Sequence, residues 1–319
     1  SGIVTRFIWK RKNSPEGVES IKSVKLLVSF GLCLSATYAA MDKAPRRGGH
    51  KLYKLMKELV WENIQRVRNE APLVHNITNA VVMNNTANAL LAAGASPIMA
   101  HALEEIDEMV PLCRATVINI GTLDRFTVES MKAAIRRANE VGRPVVLDPV
   151  GAGATSFRNR TLQEILVSGK PQFIRGNASE IMVMAGLSTR SKGVDSSESS
   201  LNSLEAAKAL SKRVGCIVCV SGETDLVVEG DRVVYLYNGS PMMEKVTGLG
   251  CTASAILGAF AAVAEDAFMA AVSATSFMGI CGEIAVSMSQ GPGTLQLHLY
   301  DVMYNLNREQ FMQTVRISE

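Results

Sequence analysis

Short apolar runs alternate with helix-like segments along most of the chain, and this alternation restricts the possible folds more than any other feature. Predicted strands cover Thr116 to Ile120 and Pro144 to Leu147, and another covers Cys216 to Val220. Apolar residues at helical spacing predict helices over Thr127 to Val141 and Arg160 to Val167. Strands that alternate with helices form a mostly parallel sheet covered by helices on both faces. The sequence therefore predicts an α/β fold.

The flanking regions extend this pattern. Lys51 to Asn69 has the apolar periodicity of an amphipathic helix. Asn79 is a predicted N-cap for a helix that runs through Leu91, because asparagine is a good N-capping residue. The polar, serine-rich segment Ser188 to Ser203 is predicted to be a loop.

The first 40 residues differ from the rest of the chain. They carry six basic and two acidic side chains, whereas the formal net charge of all 319 residues is +3. The apolar run from Leu26 to Leu34 is too short to span a membrane, but with its basic flank it resembles a signal or transit segment. The alternative is a leader without defined structure. We expect residues 1–40 to be an extension and residues 41–319 to form one domain, in the cytoplasm or, if the extension is a transit segment, in an organelle.

Composition excludes some classes of function. With 47% hydrophobic residues the chain can bury a large core, and beyond residue 40 it has no basic excess, so a nucleic-acid partner is not expected. No membrane partner is expected either. The six cysteines are scattered, as in a reducing compartment. Cys216 and Cys219 have the Cys-X-X-Cys spacing, but positions three apart in a strand face opposite sides, so we interpret both as structural.

A glycine loop precedes the longest apolar helical region. Gly248-Leu249-Gly250-Cys251 leads into two predicted helices that extend to Met288 and are interrupted at Glu265-Asp266. Glycine lets a ligand approach the main chain, and a helix N-terminus attracts anions, so this loop is a candidate anion hole. A plain turn is the alternative. Because Cys251 lies at the loop–helix junction, we expect its thiol pKa to be lowered.

Polar residues follow several predicted strands, where ligands bind in open parallel sheets. Asp148 and Glu180 are candidate Mg²⁺ ligands, because Mg²⁺ binds proteins through one or two carboxylates and substrate phosphates. The alternatives are a turn residue for Asp148 and a helix cap for Glu180. Arg175 could bind phosphate or form a surface ion pair, and Ser221 could contact a nucleotide or form a turn.

Several motifs together resemble the hydroxyethylthiazole kinase family of the ribokinase-like superfamily. They are His75-Asn76-Ile77-Thr78-Asn79, Gly94-Ala95-Ser96-Pro97-Ile98-Met99, Asn119-Ile120-Gly121-Thr122, Asp148-Pro149-Val150-Gly151-Ala152-Gly153-Ala154, Arg175-Gly176-Asn177-Ala178-Ser179-Glu180, Lys192-Gly193-Val194-Asp195, Val246-Thr247-Gly248-Leu249-Gly250-Cys251 and Gly291-Pro292-Gly293-Thr294. The resemblance extends from about Pro72 to Thr294 and implies ATP-dependent phosphorylation of 5-(2-hydroxyethyl)-4-methylthiazole.

The resemblance also implies roles for individual residues. Met99, Asn79, Val81 and Gly248 would bind the thiazole alcohol, and Arg175, Ser221 and Asn177 would bind ATP. Gly248 and Gly250 would form the anion hole, and Asp148 and Glu180 would hold Mg²⁺. Cys251 would lie beside the reacting hydroxyl, as a base or as an orienting group. The family also implies a homotrimer.

Other functions stay open at this point. They are a hydroxymethylpyrimidine kinase, a nucleotide-dependent dehydratase of the same fold and a non-catalytic small-molecule binding protein. The chain lacks the Gly-X-X-X-X-Gly-Lys-Ser/Thr motif, so it is not a P-loop kinase.

Overall fold

The computed structural model of the protein describes residues 49–187 and 196–319. A nine-stranded sheet forms the centre of this described part. Tyr53–Glu319 forms one compact unit. The sequence-based expectations for residues 1–40 and for residues 188–195 lie outside the described residues.

The strands occur in the sheet in the order β2-β1-β3-β4-β5-β6-β7-β8-β9. Strands β1 to β6 are parallel, and β7, β8 and β9 continue the sheet in antiparallel fashion. The mostly parallel α/β fold predicted from the sequence is confirmed. The strands are β1 (Leu73–Ile77), β2 (Ser96–Ile98), β3 (Ala115–Asn119), β4 (Val145–Asp148), β5 (Phe173–Asn177), β6 (Ile217–Ser221), β7 (Asp225–Glu229), β8 (Arg232–Leu236) and β9 (Ile317–Ser318).

Helices surround the sheet, and in the described part short 3-10 turns occur at Leu103–Glu105 and Pro241–Lys245. The α-helices of the described part are α1 (Gly49–Glu70), α2 (Met83–Ala93), α3 (Ile106–Leu112), α4 (Arg125–Glu140), α5 (Ser156–Ser168), α6 (Ala178–Met184), α7 (Ser196–Val214), α8 (Leu249–Ala261), α9 (Ala267–Ser287), α10 (Pro292–Asn305) and α11 (Arg308–Thr314).

The parallel register brings polar residues together at the carboxyl edge of the sheet. Asn119 at the end of β3 is paired with Asp148 at the end of β4. Asn177 at the end of β5 is paired in the same way with Ser221 at the end of β6. This edge is where ligands bind in open parallel sheets, and it therefore positions the candidate site.

The apolar helix α9 belongs to the core. It is long and apolar enough to span a membrane, but 78% of its most apolar window is buried inside the protein. Asp266 caps it by accepting a hydrogen bond from the backbone N–H of Met269, which explains the interruption between α8 and α9. A buried apolar helix of this kind is a normal component of a large core.

Two local predictions differ from the structure, and two C-terminal elements were not predicted. Asn79 does not cap α2, which begins at Met83 after Val82 without a side-chain cap. The serine-rich segment is helical from Ser196 onward, where α7 begins, because this part continues the helix that packs on β6 and β7. The sequence did not indicate α11 and β9. Arg316, between these two elements, forms a bidentate ion pair with Glu283 of α9, which helps to hold them in place.

Candidate functional site

Asp148 is a buried carboxylate at the centre of the site, with 2% of its surface exposed. Its Oδ2 accepts a hydrogen bond of 2.7 Å from Asn119 Nδ2 and another of 2.7 Å from Ser254 Oγ. Burial raises the pKa of Asp148 to about 7, although the nearby Arg175 guanidinium and both hydrogen bonds oppose this effect. Both donors use Oδ2, and Oδ1 has no donor among the described residues, so it is available to a ligand.

Asn119 connects the Asp148 carboxylate to Asn79 and, through it, to Cys251. Its Oδ1 accepts hydrogen bonds from the backbone N–H of Gly121 at 2.9 Å and from Asn79 Nδ2 at 3.1 Å. Asn79 Nδ2 also donates to Cys251 Sγ at 3.1 Å. Asp148, Asn119, Asn79 and Cys251 thus form one hydrogen-bonded chain. Asn79 does not cap α2 because it lies three residues before Val82, the N-cap position.

The glycine loop has the geometry of a helix entrance. Gly248 is the N-cap of α8 with φ of +82°, and a Cβ there would lie 2.2 Å from Val82 Cγ1. Only glycine fits this position. The N–H of Thr252 is the first to bond back into the helix, to Gly248 O at 2.8 Å. The N–H groups of Leu249, Gly250 and Cys251 precede it, which is an arrangement suited to an anion.

The Cys251 thiol contradicts one prediction. Its pKa is raised, because burial disfavours the thiolate and the Asp148 carboxylate repels it, while hydrogen bonds from Asn119 and Asn79 and the charge of Arg175 only partly compensate. The expected lowering by the helix N-terminus was wrong, since burial disfavours the charged thiolate at this partly buried position. The thiol is therefore neutral near pH 7.

Glu180 forms the helix cap that was the alternative interpretation of this residue. Its Oε2 accepts from the N–H of Asn177 at 2.8 Å, and Asn177 Oδ1 accepts from the N–H of Glu180 at 2.9 Å. Its Oε1 accepts from the N–H of Gly151 at 2.9 Å, so Glu180 also holds the loop after β4. Both oxygens already have a donor, but each keeps a lone pair for a water molecule.

The donors present allow a limited metal site. No group of three or more His, Cys, Asp or Glu side chains in the described part of the chain is placed to hold a metal. Asp148 supplies a buried carboxylate whose raised pKa a cation would lower. Because Mg²⁺ keeps several waters and binds through few carboxylates plus phosphates, Asp148 with water-mediated contact to Glu180 fits Mg²⁺.

Ser221 ends β6, and Arg175 lies two residues before the end of the adjacent strand β5. Arg175 Nη1 donates to Gly250 O at 2.9 Å, which joins β5 to the glycine loop. Ser221 Oγ donates to Gly176 O at 3.4 Å. Arg175 is absent from the ion pairs found among the described side chains, so the surface ion-pair alternative is not supported.

The residues predicted to bind the alcohol are not all equally enclosed. Asn79 is buried with 5% exposure, whereas Val81 is 65% exposed and Met99 is half-buried. The backbone next to Met99 is fixed by His75, whose Nε2 bonds to Ala100 O at 2.7 Å. No hydrogen bond among the described residues links Met99 or Val81 to the chain of Asp148, Asn119, Asn79 and Cys251.

Three site residues were not predicted to have roles. Asn119 and Ser254 hold Asp148, and Val82 packs against Gly248. A polar residue at the end of an apolar strand was a usable signal for Asn119. Ser254 lies in a helix rich in alanine and serine, and its sequence context gives no such signal.

A cavity of about 380 Å³ lies elsewhere. It is lined by Gln172, Cys216 and Ile217, which are at or before the starts of β5 and β6, together with Ser211, Lys212, Gly215, Glu229, Gly230 and Ala267. The starts of these strands are at the opposite edge of the sheet, so this cavity is separate from the site described above.

Comparisons with known proteins agree on one family. Residues 64–309 match the model of the hydroxyethylthiazole kinase family. Hydroxyethylthiazole kinase of Leptospira biflexa is 54% identical over 252 residues, covering 79% of this chain and 94% of the relative. That of Syntrophus aciditrophicus is 50% identical over 266 residues, covering 83% and 98%.

A solved structure supports the same assignment. The hydroxyethylthiazole kinase protein of Pyrococcus horikoshii superposes with a TM-score of 0.75 at 42% identity, covering 82% of this chain and 98% of that one. A ribokinase-like superfamily protein of Enterococcus faecalis, at 11% identity with a TM-score of 0.55 over 77% of this chain and 93% of its own, shares the fold alone. The chain therefore belongs to the hydroxyethylthiazole kinase family.

Proposed function

We propose that this protein transfers the γ-phosphoryl group of ATP to the hydroxyl of 5-(2-hydroxyethyl)-4-methylthiazole, a step of the thiamine pathway. Family membership supports this activity, and one structural observation links the activity to the candidate site. The hydrogen-bonded chain from Cys251 through Asn79 and Asn119 to Asp148 joins a place for a small alcohol to a place for a metal and phosphates.

The alcohol would bind beside Asn79 and Cys251, with Met99 and Val81 against the thiazole ring. Asn79 is held on both sides, by Asn119 and by the Cys251 sulfur, so its orientation is set before the substrate arrives. A fixed amide next to a neutral thiol can direct a hydroxyl toward the glycine loop. Such positioning is the main contribution that proteins make to phosphoryl transfer.

The phosphates would lie between the glycine loop and the ends of β5 and β6. The N–H groups of Leu249, Gly250 and Cys251 would face the transferred group, and Arg175, Asn177 and Ser221 would contact ATP. One preorganised donor of this kind contributes roughly 3–4 kcal/mol in other enzymes. The alcohol oxygen would bond to the γ-phosphorus as the bond to the ADP oxygen breaks, and the hydroxyl proton would pass to a phosphate oxygen or to water.

Asp148 would hold Mg²⁺, with Glu180 reaching it through water. The ion would supply positive charge to the phosphate oxygens. Asn119 and Ser254 would orient the carboxylate through their two hydrogen bonds to Oδ2. In this proposal Cys251 orients the alcohol and does not remove its proton, because its raised pKa leaves little thiolate near neutral pH.

We also propose that the protein forms a homotrimer and that it is located in the cytoplasm. The exposure of Val81, at 65%, supports an assembly in which a second copy covers this side of the alcohol site. Light scattering of the purified protein measures the mass directly. A monomer that is active at assay concentration would contradict the trimer and leave the kinase activity intact.

The decisive experiment follows product formation by mass spectrometry with ATP and Mg²⁺. The thiazole alcohol and hydroxymethylpyrimidine are supplied in parallel to wild type and to Asp148→Asn. We expect the thiazole phosphate from wild type alone. Phosphorylation of the pyrimidine instead, loss of water from a substrate, or binding without turnover would each overturn the proposal in favour of the corresponding alternative function.

A further inference from the structure

Arg158, in the first turn of α5, contacts the site but has none of the roles assigned above. Its Nη1 donates to Ile120 O at 2.6 Å and to Val150 O at 2.7 Å. Its Nη2 donates to Gly121 O at 2.8 Å. These carbonyls belong to the loops after β3 and β4, so a single side chain joins two loops at the carboxyl edge of the sheet.

The start of the helix that carries the Arg158 guanidinium is held in place. The N–H of Arg158 donates to the hydroxyl of Thr155, the N-cap of α5, at 3.2 Å. The same helix buries Leu162 and Ile165 in the core. Arginine places several N–H donors in a planar fork, which lysine cannot reproduce. The three acceptors are backbone carbonyls, and the ion pairs found among the described residues do not include Arg158.

On the β3 side, the contact with Gly121 leads to the alcohol site. The N–H of Gly121 donates to Asn119 Oδ1 at 2.9 Å. Gly121 lies so close to Asn79 that an added Cβ would be 2.7 Å from the Asn79 side chain. In the same loop, Thr122 Oγ1 accepts from the N–H of Ala80 at 3.0 Å. The loop that Arg158 holds therefore supports the segment that carries Asn79 and Val81.

On the β4 side, the contact with Val150 leads to the carboxylates. The next residue, Gly151, donates its N–H to Glu180 Oε1 at 2.9 Å. The two loops also meet directly, since the N–H of Ile120 donates to Asp148 O at 3.2 Å. A shift of the β4 loop would therefore change the position of Glu180 and the segment that follows Asp148.

We propose that Arg158 is a positioning residue for phosphoryl transfer, which holds the alcohol-binding segment and the carboxylate-bearing loop at the separation that the reaction needs. The inference rests on the proposed kinase activity and extends it to a residue that touches neither substrate. Small displacements of reacting groups have large effects on rate, because turnover requires a near-attack geometry.

The test compares wild type with Arg158→Met, Arg158→Lys and Arg160→Met. Arg160 lies two residues further along α5 and is exposed, so its variant removes the same charge from the same helix. Melting curves by circular dichroism define a temperature at which the assayed variants are folded. At that temperature kcat, and KM for the thiazole alcohol and for ATP, are measured on the full chain.

We expect Arg158→Met to lower kcat by about 10- to 100-fold while folded. Arg158→Lys should recover part of this loss, and Arg160→Met should match wild type. If Arg158→Met does not fold, a fall in the kcat of folded Arg158→Lys supports the proposal. Wild-type kcat in folded Arg158→Met overturns it, because the role is then purely structural, and so does wild-type kcat in folded Arg158→Lys where Arg158→Met does not fold. Absence of turnover in wild type and Arg160→Met overturns the proposed function as well, which distinguishes the two failures.

Discussion

Asn79 donates a hydrogen bond of 3.1 Å to the sulfur of Cys251. The same amide nitrogen donates to Asn119 Oδ1 at 3.1 Å, so both of its hydrogens are used. The Cys251 sulfur is thereby held as an acceptor inside a partly buried site, and burial together with Asp148 raises its pKa. These features support the proposal that Cys251 is a neutral group that orients the substrate.

Replacement of Cys251 tests this interpretation. We expect Cys251→Ala to lower kcat by less than about 10-fold, because removal of a general base usually costs about 10²- to 10⁴-fold. The pH dependence of kcat should keep its shape, since no thiolate is needed. Rates measured between about pH 6 and pH 9 check both points. A loss near 1,000-fold, or the disappearance of an alkaline rise in the rate, would mean that the thiol is the base.

The sequence was sufficient for the sheet because buried parallel strands consist of apolar runs, such as Val145–Leu147. It was insufficient for Asn79, because the helix begins only at Met83, and the contact of Asn79 with Asn119, 40 positions away, has no local signal. It also failed for the pKa of Cys251, since the helix terminus can be inferred from sequence but the depth of burial cannot. The C-terminal β9 depends on a contact between Arg316 and Glu283 that no local pattern encodes.

Motifs predicted the carboxylates and the glycine loop of the site because these residue types have special chemistry or backbone geometry. Supporting residues such as Ser254 and Arg158 are common types in ordinary helices, and only their three-dimensional contacts distinguish them. Residues proposed to touch ligands were therefore easier to infer than the residues that hold them in place.

The ionised carboxylate of Asp148 should lower the free energy of unfolding of the protein. Its pKa is raised from 3.8 to about 7 by burial, so the folded protein retains a proton that the unfolded chain releases between these values. The free energy of unfolding therefore falls as pH rises through this range. Asp148→Asn keeps an acceptor for Asn119 and Ser254 and removes the ionisation.

We expect Asp148→Asn to be more stable than wild type near pH 8, on the order of 1–4 kcal/mol at about 1.4 kcal/mol per pKa unit. The gain should shrink near pH 5, where the wild-type carboxyl is protonated. Urea unfolding at both pH values, without Mg²⁺, measures it. Kinase activity should fall at least about 100-fold, as expected for the loss of charge stabilisation. A variant less stable than wild type near pH 8 would show that the carboxylate is well compensated in the folded state.

Gly248 should not tolerate a side chain. Its φ of +82° disfavours alanine, and the new Cβ would lie 2.2 Å from Val82 Cγ1. We expect Gly248→Ala to cost roughly 2–5 kcal/mol of stability, from backbone strain and overpacking together. The kinase rate should fall as well, because the N–H groups after Gly248 move.

Gly230→Ala is a matched control, because Gly230 has φ of +60° but nothing within 4 Å of an added Cβ. It should cost only the backbone strain, roughly 1–2 kcal/mol. Val82→Ala combined with Gly248→Ala should recover part of the loss, and a double-mutant cycle of unfolding free energies measures the coupling. Equal costs for the two glycine variants would show that the contact with Val82 relaxes freely.

His75 should make stability depend on pH below neutrality. It is fully buried, and burial lowers its pKa, while its bond to Ala100 and the charge of Glu105 act weakly in the opposite direction. The unfolded chain therefore takes up a proton at an ordinary histidine pKa of about 6.5, before the folded protein does. The stability that the neutral ring contributes is complete above this pH and is lost as the pH falls below it.

We expect the unfolding free energy of wild type to fall more steeply than that of His75→Gln between about pH 7 and pH 5, by at most about 1.4 kcal/mol per pH unit. The exposed His101 provides the control, and His101→Gln should keep the wild-type slope. Urea titrations at several pH values give the slopes. Parallel slopes for wild type and His75→Gln would mean that the buried ring takes up its proton as readily as a solvated one. In that case the contact with Ala100, and with it the backbone beside Met99, would persist at acidic pH.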